Sequence, residues 1–305
     1  RRPSVTLHWT RNGRPQTPIG GRAHGRYDSF DQWVFELGVV EAGDAVDYWL
    51  EAAAGTASCR SDRFQFVTRR MRRLGAFAGV DCTGETVSAT LLDTANKPGP
   101  RLSLALDPDH AAMIRWTFEL GSASPSVPTA APGDHALAAA GGLELHLAAG
   151  GMRLCWPQRN LDLPLQVRWL EEGDGTLVAV EITGDLQPDE ALVGFGERYD
   201  AVDQRGRTLD TIVYEQYKNH GNRSYLPVPF FFSNRGFGCH VEGTDRVHYD
   251  LGRTVPDRWR SLAFAGSRSR VVVDILGGSP LELLRTRFSS FLPLPPVLLS
   301  DKLHS

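Results

Sequence analysis

The chain has 305 residues, 41% hydrophobic and 23% charged, with a formal net charge of −3. That composition belongs to a folded globular chain of two domains or one large one, long enough to bury a core. Acidic residues slightly outnumber basic ones, and the only basic cluster is RRMRR at 69–73. This argues against a nucleic-acid partner, and the cluster reads as a solvated linker or strand end.

The first 70 residues predict a small β-sandwich of immunoglobulin type. SVTLHWT (4–10), DQWVFEL (31–37), AVDYWLEA (45–52) and RFQFV (63–67) are rich in β-branched and aromatic residues and are separated by turn formers. In the last of these, Phe64 and Phe66 alternate with polar neighbours, as a half-buried strand requires. TRRMRRLGAFAG (68–79) looks like a boundary.

Longer strands are expected after it, at 86–93, 101–106, 112–120, 142–149, 165–172 and 176–183, with a Pro/Ser/Ala-rich loop at 121–134. More follow at 226–233, 237–242, 246–251 and 270–276. Strands without intervening helices argue for a large antiparallel sandwich and against βαβ units. A helix is predicted over 279–292. Ser279 suits its N-cap and Pro280 its first turn, and Leu281, Leu284, Phe288 and Phe291 recur at helical spacing.

Cys59, Cys82, Cys155 and Cys239 have neither zinc spacing nor a C-x-x-C pattern, so buried free thiols are expected and no metal site is. No apolar run is long enough to span a membrane, and no signal peptide is visible. The cytoplasm is therefore the expected compartment, although a start at Arg1 leaves room for a leader.

GFGERYDAVDQRG (194–206) concentrates glycines and charges. A dinucleotide cradle is a poor reading, because Tyr199 stands where the third glycine of G-x-G-x-x-G belongs and no helix follows. Glu197, Asp200 and Asp203 have the right chemistry for a glycosidase carboxylate pair. Arg198 and Arg205 beside them would keep such carboxylates ionised, which is wrong for a general acid. A tight turn fixed by hydrogen bonds is the favoured reading. Two weaker acid/base pairs lie in strands, Glu144 with His146 and His240 with Glu242, each on one strand face. They would suit an aldose-epimerase-like sandwich.

The block 192–242 resembles the N-terminal region of glycoside hydrolase family 31, the α-glucosidase and α-xylosidase type. The resemblance rests on Gly194, Gly196, Glu197, Arg198, Asp203, Gln204, Arg205 and Gly206, then Lys218, Asn219, Pro229 and Phe230. It continues through Ser233, Arg235, Gly236, Phe237 and Gly238. It is strong over about 190–296 and fair over 74–190.

The resemblance implies an all-β chain in three parts. Residues 1–70 would be an Ig-like module, 71–278 a galactose-mutarotase-like supersandwich, and 279–305 a helix and linker toward a (β/α)8 barrel. None of that barrel's motifs occurs in the sequence, so no catalytic residue is assigned and the chain by itself is expected to be inactive. The implied chemistry of the whole enzyme is retaining hydrolysis of an α-linked glucoside or oligosaccharide, with no metal or organic cofactor.

The resemblance also implies one substrate-side loop at about 214–226, where Tyr214, Gln216, Tyr217, Asn219 and Tyr225 suit sugar contact. YLPVPFFFS (225–233) is the expected neighbourhood of the barrel-docking face. The alternative is a stand-alone carbohydrate-binding or interaction module.

Overall fold

A computed structural model describes residues 3–27, 30–38, 40–41, 43–106, 113–120, 135–138, 142–215 and 223–289; for 24–27, 30, 32, 135–138 and 287–289 it describes the backbone. The loop expected at 121–134 lies outside these residues. The chain divides into two compact units. One is Arg1–Met71 with Leu170–Thr176, and the other is Arg72–Trp169 with Leu177–Ser305.

In the first unit Ser4–Arg11 and Ala45–Ala54 pair antiparallel along their length. Short strands at Arg14–Pro15, Ile19–Gly20, Ala57–Arg60 and Phe64–Val67 extend that sheet, and Arg22–Tyr27 pairs with Phe30–Val34 as a separate hairpin. Alternation sets the core. Leu7, Trp9 and Val46 are buried, with Ile19, Phe35, Leu37, Val40, Tyr48 and Leu50 packed on them. Phe64 and Phe66 correct the half-buried expectation. They stay 47% and 40% exposed on an edge strand, where both rings pack against Tyr48.

The second unit is one open ladder of antiparallel strands. Its path runs Leu192–Gly196, Pro227–Ser233, Phe237–Val241, Arg270–Gly277, Met113–Glu119, Pro98–Leu106, Thr86–Asp93 and Arg70–Thr83. It continues through Leu161–Glu171, Leu177–Asp185, Arg258–Phe264 and Val247–Leu251 to Thr208–Asp210. Gly151–Trp156, Glu144–Ala148 and His135–Ala138 branch from Leu161–Glu171. The ladder folds over, so that one half faces the other across a shared core. Phe195 lies 5.0 Å from Tyr249, and Phe231 5.4 Å from Trp259, each pair joining opposite halves. Trp116, Trp156, Trp169 and Trp259 are fully buried in that interior.

The division between the units at Met71 and Arg72 falls within 68–79, where a boundary was expected, but most of that segment is strand. Arg70–Thr83 is a long strand in mid-ladder. Arg72, read from sequence as part of a solvated cluster, is buried. Its Nε lies 3.2 Å from the Asp93 carboxylate, and its Nη1 donates to the Pro98 carbonyl at 2.7 Å.

The helix is Pro280–Ser289. Its start is a capping box. The Ser279 N–H donates to Glu282 Oε2 at 2.8 Å, and the Glu282 N–H points back to Ser279 Oγ at 3.4 Å. Arg159 also pairs with Glu282, at 2.9 Å. This orientation presents Leu283, not Leu281, to the outer face of the sheet. Leu283 packs with Met113, Phe230 and Leu276, while Leu281 is 57% exposed.

Replacing Arg72 by alanine leaves Asp93 buried without its cation. The expected loss is about 3 kcal/mol of unfolding free energy, measured by urea denaturation at neutral pH.

Candidate functional site

The ladder has two free ends, Leu192–Gly196 in one half and Thr208–Asp210 in the other. They are joined directly by residues 197–207, the distinctive motif, which bonds to both halves. The Gln204 N–H donates to the Leu192 carbonyl at 2.9 Å, and the Leu192 N–H donates to Asp203 Oδ1 at 3.0 Å. On the other side, the Gly206 N–H donates to the Leu251 carbonyl at 2.6 Å, and the Leu251 N–H returns to the Arg207 carbonyl at 2.9 Å.

Each polar side chain of the motif is engaged. Asp203 Oδ1 also accepts the Arg205 N–H at 3.0 Å. Asp200 pairs with Arg207 and accepts the Ala201 N–H at 2.9 Å. Arg205 donates to the carbonyls of Gln187, Glu190 and Pro256. Arg198 Nε donates to the Phe195 carbonyl at 3.1 Å; burial pulls its pKa down, and Asp200 pushes it back up. Glu197 bonds the Tyr199 hydroxyl and thereby raises that phenol's pKa. These carboxylates are spent on N–H groups, a guanidinium and a phenol, as structural partners are. The geometry is that of a clasp.

The glycines have a conformational reason. Gly194, Phe195 and Gly196 all have positive φ, 129°, 66° and 81°. A Cβ on Gly196 would stand 2.0 Å from the Leu226 carbonyl oxygen, and one on Gly194 2.6 Å from that of Phe230. The turn swings Phe195 into the core, stacked 5.2 Å from Phe231.

The two His/Glu pairs separate. His146 and Glu144 are 3.5 Å apart and partly exposed. His240 is buried on the outer face, where Nδ1 lies 3.1 Å from Asp274, while Glu242 pairs with Arg115 at 3.1 Å. Burial would raise the Asp274 pKa; His240 and Arg115 hold it below the usual carboxylate value. The interior that an epimerase would use for sugar is filled with tryptophan and leucine.

The expected loop is only partly described: Gln216, Lys218, Tyr217 and Asn219 lie outside the described residues. Its neck is closed by a bridge between Val213 and Ser224, with the Tyr214 N–H donating to the Ser224 carbonyl at 3.0 Å. Arg223 lies 4.3 Å over the Tyr214 ring. Beside the neck, Ile212, Val213, Tyr225, Leu226 and Val228 are between 42% and 57% exposed. Sequence reading missed Ile212 and Val213, although VPFFFS told half the story by alternation. Phe231 points into the core, and Phe230 and Phe232 point to the outer face beneath the helix.

Among the described residues no group of His, Cys, Asp and Glu could hold a metal, and no helix is long and apolar enough to cross a membrane. All four cysteines are free, but only Cys239 is buried; Cys59 and Cys82 are exposed, contrary to expectation. Burial, with Asp162 beside it, pushes the Cys155 thiol up to about 11.

The family model described as the glycosyl hydrolase 31 N-terminal galactose mutarotase-like domain matches residues 157–250, the segment containing the clasp. Over these residues the chain is similar to that domain. Among curated relatives, a 1,3-alpha-isomaltosidase of Kribbella flavida is 53% identical over 70 residues, covering 21% of this chain and 10% of the relative. An isomaltosyltransferase of Sporosarcina globispora is 20% identical over 307 residues, covering 95% of this chain and 28% of the relative. Among solved structures, the cycloalternan-forming enzyme of Listeria monocytogenes superposes with a TM-score of 0.66 at 21% identity, covering 94% of this chain and 29% of that one. That likeness establishes the shared fold. The chain spans less than a third of the length of each.

Two outcomes test the clasp of the mutarotase-like domain. Gly196→Ala combines a left-handed φ with a backbone clash, and more than ~2 kcal/mol of stability should be lost in urea titrations. Asp250 supports Leu251 from the next position. Burial would raise its pKa, but bonds from Thr254, Arg260 and Arg253 overcome this and hold it at about 2. A depressed pKa contributes stability above the unfolded value of ~3.9 and loses it as pH falls toward the folded value. Asp250→Asn should therefore cost roughly 2 kcal/mol at pH 7, and the gap to wild type should close in melts taken at successively lower pH, from about 4 to about 2.

Proposed function

We propose that residues 1–305 are the β-rich N-terminal part of a retaining α-glycosidase. In this reading a catalytic barrel docks on the margin formed by Ile212, Val213, Tyr225, Leu226 and Val228, and the loop 214–226 reaches the substrate. The observation that carries it is that exposed apolar margin, set at the neck of the loop within the matched domain. Side chains of this size left in water favour a partner surface. The relatives' names point to α-linked gluco-oligosaccharides as the substrate class. The chemistry would come from two carboxylates of the barrel, about 5–5.5 Å apart in a retaining enzyme. The mutarotase-like domain would supply the docking surface and Tyr214 and Tyr225 for sugar contact.

Residues 1–305 alone should not hydrolyse 4-nitrophenyl α-glucoside above background. The protein expressed from the whole reading frame should do so with retention. In that protein Tyr225→Ala should lower kcat/KM about tenfold, the scale of one lost aromatic contact, without a matching drop in Tm. Hydrolysis by residues 1–305 overturns the reading. Saturable glycan binding by residues 1–305, with no activity from the whole frame, would favour a stand-alone module.

A further inference from the structure

On the far side of the clasp lies an open cleft of about 520 Å³, lined by Arg205, Gly206, Arg207, Thr208 and Arg253. Among the described residues no carboxylate lines it. The carboxylates bonded to its lining residues are already spent. Asp200 is held by Arg207, and Asp250 by Arg260 at 2.6 Å and by the N–H groups of Arg253 and Thr254. Arg205 is fixed by the Gln187, Glu190 and Pro256 carbonyls, which are neutral acceptors, so its charge is positioned without being cancelled there. Among the described residues neither Arg205 nor Arg253 forms an ion pair, and Arg253 is exposed at the rim. Gly206, at φ 78°, has open space where a side chain would stand, which keeps the floor clear.

Of the three arginines lining the cleft, Arg207 is neutralised by Asp200, while Arg205, held by carbonyls, and the exposed Arg253 keep an unbalanced positive charge beside it; charge-assisted bonds from a planar guanidinium fork match oxygens of phosphate geometry. We propose that this cleft binds a phosphate-class oxyanion, free or carried on a sugar, with Arg253 closing on it from the rim. The fold's clasp would then double as a ligand site. The inference does not rest on the glycosidase reading, because it needs neither a barrel nor the loop 214–226.

The test is isothermal calorimetry of residues 1–305 with inorganic phosphate, and separately with glucose 6-phosphate and glucose, all at constant ionic strength. Saturable phosphate binding is expected, weakened about tenfold or more by Arg253→Gln, since one charge-assisted hydrogen bond is lost. Arg101→Gln removes the same charge from the strand Pro98–Leu106 and should leave binding unchanged. Tighter binding of glucose 6-phosphate than of phosphate, with none of glucose, assigns a sugar phosphate; equal binding assigns the free ion. The proposal is overturned by absence of saturable phosphate binding, by equal affinity in Arg253→Gln and wild type, or by equal weakening in both variants. Arg253 and Arg101 are both exposed, so neither variant threatens the fold.

Discussion

An open ladder has two ends, and the mutarotase-like unit depends on how these ends are tied. Leu192–Gly196 and Thr208–Asp210 stand at opposite ends of the hydrogen-bonded path yet are adjacent in the chain. The connection between them has to cross from one half of the sandwich to the other, and unpaired strand edges invite fraying or foreign pairing. Residues 197–207 meet both demands by placing backbone bonds on Leu192 and on Leu251. The charged residues serve this crossing. A loop running between two edges leaves N–H and C=O groups without ladder partners, and Asp203 and Arg205 supply partners to some of them.

The same closure moves function outward. Among the described residues, Trp116, Trp156, Trp169 and Trp259 fill the interior between the halves with side chains. What is left for recognition is peripheral: the apolar margin at the loop neck, the arginine cleft beside the clasp, and the outer face under the helix. On that face Phe230, His240, Asp274 and Arg115 lie in register across four strands. A ring packed under Leu283 thus passes into a buried ion network along one line of side chains.

Much of the fold was legible because alternation is a local signal. Thr86–Asp93 was read to the residue, and most other strands within a few. Arg258–Phe264 was missed, although Trp259, Ser261 and Ala263 take its alternate, buried positions, because Ser261 is polar on the buried face and Leu262 and Phe264 are apolar on the other, which blurs the period. RRMRR is a solvated strand end as read, except at Arg72. Charge said surface, while Asp93 and the Pro98 carbonyl, each more than twenty residues away, make a buried guanidinium tolerable. The helix was found, and Leu284 packs on the sheet as expected, but Leu283 takes the buried place expected of Leu281, since the helical spacing fits several faces and the capping box and the sheet beneath select one; the side chains of Phe288 and Phe291 lie outside those described.

By itself, the sequence determined the class of the chain. β-branched and aromatic runs separated by turn residues point to an all-β architecture, and the ordered string from Gly194 to Gly238 carries the resemblance to the mutarotase-like domain. The tertiary structure alone decided what that string does. Asp203, Arg205 and Gly206 become a clasp only when Leu192 and Leu251, on different halves of the sandwich, are brought to either side of it. Hydrogen-bond partners so distant in the chain leave no local pattern, because their proximity is a property of the folded ladder.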